Sequence, residues 1–170
     1  MSELKIQRFP EPILRKKAAA VGHVTQVERS ILDDMAEIMY LSQGVGLAAV
    51  QVGIDKQMAV IDIGQGLIKM VDPVIINRGG LETQDEGCLS CPNVTVGVKR
   101  SRQVTVRFMN ENGDLMELKA SGLLARALQH EYDHIEGVTI VNRMGQVAKI
   151  AHRRHLKKLA EQDKEAGKKG

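Results

Sequence analysis

The chain has 170 residues, of which 43% are apolar and 26% charged, with a net charge of +3. That is the balance of one globular domain large enough to bury a core without disulfide staples. Aromatics are only 2% and Trp is absent, which excludes base stacking on aromatic platforms as a way of holding single-stranded nucleic acid.

The opening, Met1 to Phe9, lacks the apolar stretch of a secretory signal. Pro10 and Pro12 impose extended or turn geometry on the start of the chain. Thr25-Gln26-Val27-Glu28 has the form of a capping box. Val27, Ile31, Met35, Ile38 and Met39 then recur at helical spacing, and Gly44 lies past the end. The run Ile38 to Gly53 is uncharged but broken by Gly, Ser and Gln, and too short to span a bilayer. Strands are expected over Met58–Ile63, Lys69–Ile76, Val94–Val98, Val104–Phe108 and Leu115–Lys119, with a hairpin turn at Asn112-Gly113. No helical crossovers separate them, so the sheet should be mainly antiparallel. Ser121 is placed to cap a second helix reaching Ile135. A third is expected over Gly145–Gln162, with fraying from Glu165 to Gly170.

The fold class is therefore α+β: antiparallel β-sheets packed around a central helix, with an N-terminal and a C-terminal helix. Residues 1–143 form the body, and residues 144–170 are an appended basic helix and tail of the same domain. Charge marks this boundary. From Val141 to Gly170 there are 9 Lys/Arg against 3 Asp/Glu, whereas the rest holds 15 against 18. Such a tail is either a solvated helix face or a contact for an anionic partner such as RNA.

Chemistry concentrates on the second helix. His130-Glu131-Tyr132-Asp133-His134 is an H-E-x-x-H sequence. Four residues make slightly more than one turn, so both imidazoles leave the same face and can bind one metal ion. Glu131 is then placed to act as general base on the attacking water. The two His continue the stripe of Leu123 and Ala127, and Glu131 continues that of Leu124 and Leu128. A buried carboxylate beside two imidazoles is costly unless a cation offsets it. A third ligand is needed. Downstream, Gly137 fits one metalloprotease pattern but Ile140 stands at its ligand position and cannot coordinate. His152, His155 and Glu161 lie on the basic terminal helix. The better donor is upstream, in Glu86-Gly87-Cys88-Leu89-Ser90-Cys91-Pro92. In an extended segment residues three apart face opposite ways, so Cys88 serves alone and leaves an open coordination position. The rival is a closed, structural Cys₂His₂ site that also uses Cys91. A metalloprotease cutting internal bonds is a second rival. Two cysteines without a disulfide framework suit a reducing, cytoplasmic setting.

Gly44-Val45-Gly46-Leu47-Ala48-Ala49-Val50-Gln51 lacks the Lys-Ser/Thr ending of a phosphate-binding loop. It reads as a small-residue turn, or as backbone lying close to an extended substrate with Gln51 presented to a carbonyl oxygen. This segment, Glu86 to Ser90 and Gln129 to His134 together resemble the three motifs of the peptide deformylases, in the same order, and Phe9 to Arg15 is similar as well. The resemblance runs from about Ile6 to Arg143. It implies a hydrolase that removes the formyl group from N-terminal formyl-methionine of nascent polypeptides and releases formate. It implies one divalent ion, Fe²⁺ in the cell with Zn²⁺, Ni²⁺ or Co²⁺ able to substitute, held by Cys88, His130 and His134. Glu131 would be the general acid/base, with Gln51 and the Leu89 N–H stabilising the oxyanion. Gly44, Val45, Gly46, Gly87, Leu123, Ala127 and, at the rim, Arg126 would bind substrate. Glu86 and Asp133 would orient the ligating His. The basic terminal helix resembles one that some bacterial members use to meet the ribosome. No membrane or DNA partner is expected. Val50, Ile135 and Gln43 depart from the usual pattern without removing a reactive group.

Overall fold

A computed structural model describes residues 3–168. Helix α1 spans Gln26–Leu41 and opens with the expected box: Thr25 Oγ1 accepts from the Val27 N–H, and Glu28 Oε2 accepts from the Thr25 N–H. Its inward face differs from the expected stripe. Val27 is 60% exposed, whereas Glu28, Leu32, Met35, Ala36 and Met39 are buried. The cap explains the rotation, because Glu28 must reach back to Thr25 and also meets Lys56, so the buried stripe starts there. Each fully buried Leu or Met in this stripe contributes about 1.5–3 kcal/mol.

Seven strands follow: β1 (Gly46–Ala48), β2 (Met58–Ile61), β3 (Ile68–Gly79), β4 (Glu82–Cys88), β5 (Cys91–Arg100), β6 (Gln103–Met109) and β7 (Leu115–Ser121). They form a five-stranded sheet in the order β1-β2-β3-β6-β7 and a separate β4-β5 pair. Every pairing is antiparallel, as expected. Strands β1 and β4 were not legible in the sequence. The first is short and glycine-led. The second begins Glu82-Thr83-Gln84-Asp85, which shows no apolar alternation. The β6–β7 connection runs from Asn110 to Asp114, wider than a two-residue turn, and the Asn110 side chain accepts from the Asn112 and Asp114 N–H groups.

Helix α2 (Gly122–Ile135) packs against the five-stranded sheet through Ala125, Leu128 and Ile135. Ser121 occupies its N-cap position but makes no capping bond. The helix ends before Gly137, whose φ of +79° suits glycine. A side chain there would also strike the backbone of Arg15 and Lys16. A short helix α3 (Ile140–Arg143) precedes α4, Gln146–Gly167. Helix α4 therefore outlasts the expected end and carries Glu165 and Gly167 within it, while Lys169 and Gly170 lie outside the described residues. It docks on β5 by His155 Nε2 to the Pro92 carbonyl (2.6 Å) and His152 Nε2 to the Thr95 carbonyl (3.2 Å). Leu156 packs beside Cys91 and Val94 in a small apolar cluster. Among the described residues no helix is long and apolar enough to cross a membrane.

Candidate metal centre and substrate cleft

One turn of α2 presents His130 and His134 together, with their Nε2 atoms 3.2 Å apart. The β4–β5 turn brings Cys88 Sγ to 3.3 Å from His134 Nε2. The donor atoms of Cys88, His130 and His134 all lie within 4.8 Å of one another, which suits one ion. The donor chemistry also fits. Burial alone would push the Cys88 thiol up, but the charge of His134 and hydrogen bonds from both imidazoles outweigh it and hold Cys88 well below the usual thiol range. The thiolate is the form that ligates. His130 Nδ1 meets Glu86 Oε1 at 3.0 Å, which orients the ring with Nε2 toward the cluster.

Cys91 is not part of this group. The segment is a tight turn rather than an extended run, with Cys88 and Cys91 paired across Leu89-Ser90. Cys91 is buried with Val94, Val96, Val98, Ile140 and Met144. Burial first, and then the charge of Cys88, pushes its thiol up to about 12. His152 and His155 are spent on backbone carbonyls, and Glu161 is exposed.

Glu131 is 3% exposed, and among the described residues its Oε2 has no hydrogen-bond partner. Burial raises its pKa above the usual carboxylate value against the opposing pull of His130 and His134. A carboxyl that both takes and returns a proton needs this position. Gln51 sits in a 3-10 turn, Ala49–Val52. Its Oε1 accepts from the Ala48 N–H (2.9 Å), which turns Nε2 toward Ser90 Oγ (3.2 Å) and Cys88 Sγ (3.6 Å). The N-terminal segment ties both loops in place: the Gln7 N–H donates to the Gln51 carbonyl and the Phe9 N–H to the Ser90 carbonyl.

A cleft of about 400 Å³ opens over this cluster. Gly44, Val45, Gly46, Gln51, Gly87, Cys88, Leu89, Leu123, Arg126, Ala127, His130 and Glu131 all line it. Its floor is tightly packed. A Cβ on Gly44 would come within 2.8 Å of Leu89 Cδ1, and one on Gly46 within 2.9 Å of Glu131 Cδ. Leu123, 54% exposed, stands at the mouth. Arg126 does not stand at the rim. It is 4% exposed and its Nη1 donates to Glu86 Oε2 (2.5 Å) and the Val98 carbonyl (2.9 Å). A guanidinium this buried is tolerated only when paired, and Glu86 draws it inward.

Among the described residues the Asp133 side chain bonds to arginines and to neither His130 nor His134. Its carboxylate takes Arg100 Nη1 (2.8 Å) and two bonds from Arg143 (2.7 and 3.0 Å). Arg100 also grips Glu86 through Nε (2.6 Å) and Nη2 (2.9 Å), and so locks β5 to both β4 and α2. Burial opposes ionisation of Glu86, yet His130 and Arg100 hold its pKa down at about 2. Arg100 was missed in the sequence, although a signal existed. It continues the two-residue stripe of Val94, Val96 and Val98, so a charge falls on a buried face.

A family model described as polypeptide deformylase matches residues 3–149. The peptide deformylase of Caldanaerobacter subterraneus subsp. tengcongensis is 47% identical over 82% of this chain and 87% of its own length. That of Syntrophobacter fumaroxidans is 42% identical over 95% and 98%. A peptide deformylase structure from Legionella pneumophila superposes with a TM-score of 0.87 at 36% identity, covering 94% of this chain and 96% of that one. Sequence, fold and the clustered Cys and His donors agree, and the chain belongs to the polypeptide deformylase family, metal-dependent hydrolases that remove the N-terminal formyl group from nascent polypeptides.

Proposed function

We propose that this chain hydrolyses the formyl group of N-terminal formyl-methionine with Cys88, His130 and His134 holding the metal and Glu131 moving the proton. The observation that carries this assignment is the convergence of the three donors beside a buried, unpartnered carboxylate oxygen on the floor of the cleft. A divalent ion held by these donors would supply the Lewis acidity that activates the attacking water and polarises the formyl oxygen. Fe²⁺ is the ion proposed for the cell, with Zn²⁺, Ni²⁺ or Co²⁺ as substitutes that the same donors accept.

Glu131 takes a proton from the attacking water and delivers it to the amine nitrogen as the C–N bond breaks, because an amide anion is a poor leaving group. Gln51 Nε2 and the Leu89 N–H donate to the oxygen that gains charge, and Gln51 is aimed for this by its bond from Ala48. Gly44, Gly46 and Gly87 lie along the cleft where a peptide backbone can approach closely, and Val45, Leu123 and Ala127 form apolar wall for the methionine side chain. Arg126 acts on this wall indirectly, by fixing Glu86 and through it His130. The close packing of Gly46 against Glu131 supports a tight acyl pocket, in which the methyl of an acetyl group would clash. Purified protein should therefore release formate from a formyl-Met peptide and almost no acetate from its acetyl analogue. Equal release from both, or cleavage of internal peptide bonds, would sink this reading.

Residues 1–143 are proposed as the catalytic part and α4 as an appended contact for the ribosome, where nascent substrate emerges in the cytoplasm. Support comes from exposed Arg153, Arg154, Lys157 and Lys158 on the helix, whose other side is docked on β5. Truncation would strip that docking, so charge reversal is the cleaner test. Replacing the four with Glu should abolish co-sedimentation with ribosomes and leave turnover of a short formyl-Met peptide unchanged. Undiminished co-sedimentation would remove the contact.

A further inference from the structure

We propose that Cys91 is a resolving thiol, which captures Cys88 in a reversible disulfide when Cys88 is oxidised and so spares it from irreversible damage. The catalytic assignment leaves Cys91 without a task, yet the fold places it directly opposite Cys88 across the β4–β5 turn. Facing residues of an antiparallel pair have Cα atoms about 4.5–5.5 Å apart. That lies inside the range of about 4.4–6.8 Å that a disulfide spans. The side chains also share a face. Cys91 is buried and Cys88 is half-buried opposite it, beyond the register irregularity that separates this pair from Glu86 and Val96. Cys88 packs against the cluster that contains Cys91, Val94 and Met144.

Access is asymmetric in the way such a pair requires. Cys88 lines the open cleft, so a small oxidant such as hydrogen peroxide reaches it. Cys91 is 1% exposed, so the oxidant does not reach it and it remains a thiol. The Cys88 thiolate attacks one peroxide oxygen and the O–O bond breaks. Hydroxide leaves and takes a proton to become water, and Cys88 is oxidised by two electrons to a sulfenic acid. The Cys91 sulfur then attacks the Cys88 sulfur, the S–O bond breaks, and the hydroxyl departs with the Cys91 proton as a second water. With Cys88 withdrawn into the S–S bond only His130 and His134 remain as donors, and the ion is released. A thiol reductant reverses the step.

This inference rests on Cys88 being a ligand, and the zinc content measured before oxidation reports on that assignment separately. The experiment uses holoprotein loaded with Zn²⁺, which has no redox chemistry of its own. It is treated with hydrogen peroxide, free thiols are then blocked, and the tryptic peptide Gly79–Lys99, which contains both cysteines, is weighed. The wild-type peptide should be two hydrogens lighter and unblocked, zinc should be released in step with its formation, and dithiothreitol with fresh zinc should restore most formate release. Cys91→Ala should start with wild-type zinc content and activity. After peroxide its peptide should carry two or three added oxygens, and reductant should restore nothing. A wild-type peptide with oxygens on Cys88 and a blocked Cys91 would overturn the proposal. So would Cys91→Ala recovering as fully as wild type. Should the variant fold poorly, the wild-type peptide mass decides alone.

Discussion

Glu131→Gln should lower formate release by about 10²–10⁴-fold, the usual worth of a positioned general acid/base, with metal content unchanged. Gln fills the same volume in a site that is nearly inaccessible, so the packing of α2 against the sheet is kept. What is lost is the capacity to accept and return a proton. Glu131 stands beside the donor group of Cys88, His130 and His134 without belonging to it, which is why the two readouts should separate. Among the described residues its Oε2 has no hydrogen-bond partner, so the substitution breaks no structural hydrogen bond at that atom. Activity within a few-fold of wild type, or loss of metal together with activity, would remove Glu131 from the role given to it.

The second large effect is expected from the smallest change, Gly46→Ala. A Cβ at this position would lie 2.9 Å from Glu131 Cδ and 3.0 Å from Cγ, closer than carbon atoms approach. Neither partner gives way easily. Glu131 is buried on α2, and Gly46 is held in β1 by its pairing with Ile61. Displacing the carboxylate by about 1 Å is enough to cost on the order of 10²-fold in rate. Overpacking of this kind costs about 1–3 kcal/mol of stability, so the protein should still fold. The expected result is a fall in kcat far larger than the modest drop in Tm suggests. Gly145→Ala is the control, because a Cβ there meets nothing within 4 Å. Unchanged kcat in Gly46→Ala would show that β1 does not set the position of Glu131. Gly44, against Leu89, and Gly46, against Glu131, thus have one explanation: small residues here let β1 seat against two groups assigned to the chemistry.

The charged network around Glu86 and Asp133 explains how the site holds its shape. Glu86 and Asp133 share Arg100, Arg126 secures Glu86, and Arg143 secures Asp133. Removing the buried Arg100 would leave both carboxylates short of a partner in low dielectric, and breaking a buried pair costs about 3–5 kcal/mol. The network therefore fixes the distance between the hairpin that carries Cys88 and the helix that carries the imidazoles.

Local signals were legible wherever chemistry repeats over a few residues. The Thr25–Glu28 cap, the amphipathic strands β5 and β6 and the H-E-x-x-H turn of α2 depend only on backbone periodicity, so residue order alone was sufficient to place them. Donor types were equally open to reading, since Cys, His and Glu in that spacing have few other uses. What the tertiary structure alone decided is which distant groups meet. It set Cys88 beside the two imidazoles and buried Cys91 in an apolar cluster, and it drew Arg126 inward to Glu86. It also sent Asp133 to two arginines in place of an imidazole. The physical reason is the same in each case: a buried charge must find its partner among segments tens of residues away, and that choice is made by packing and mutual desolvation, which no local pattern records.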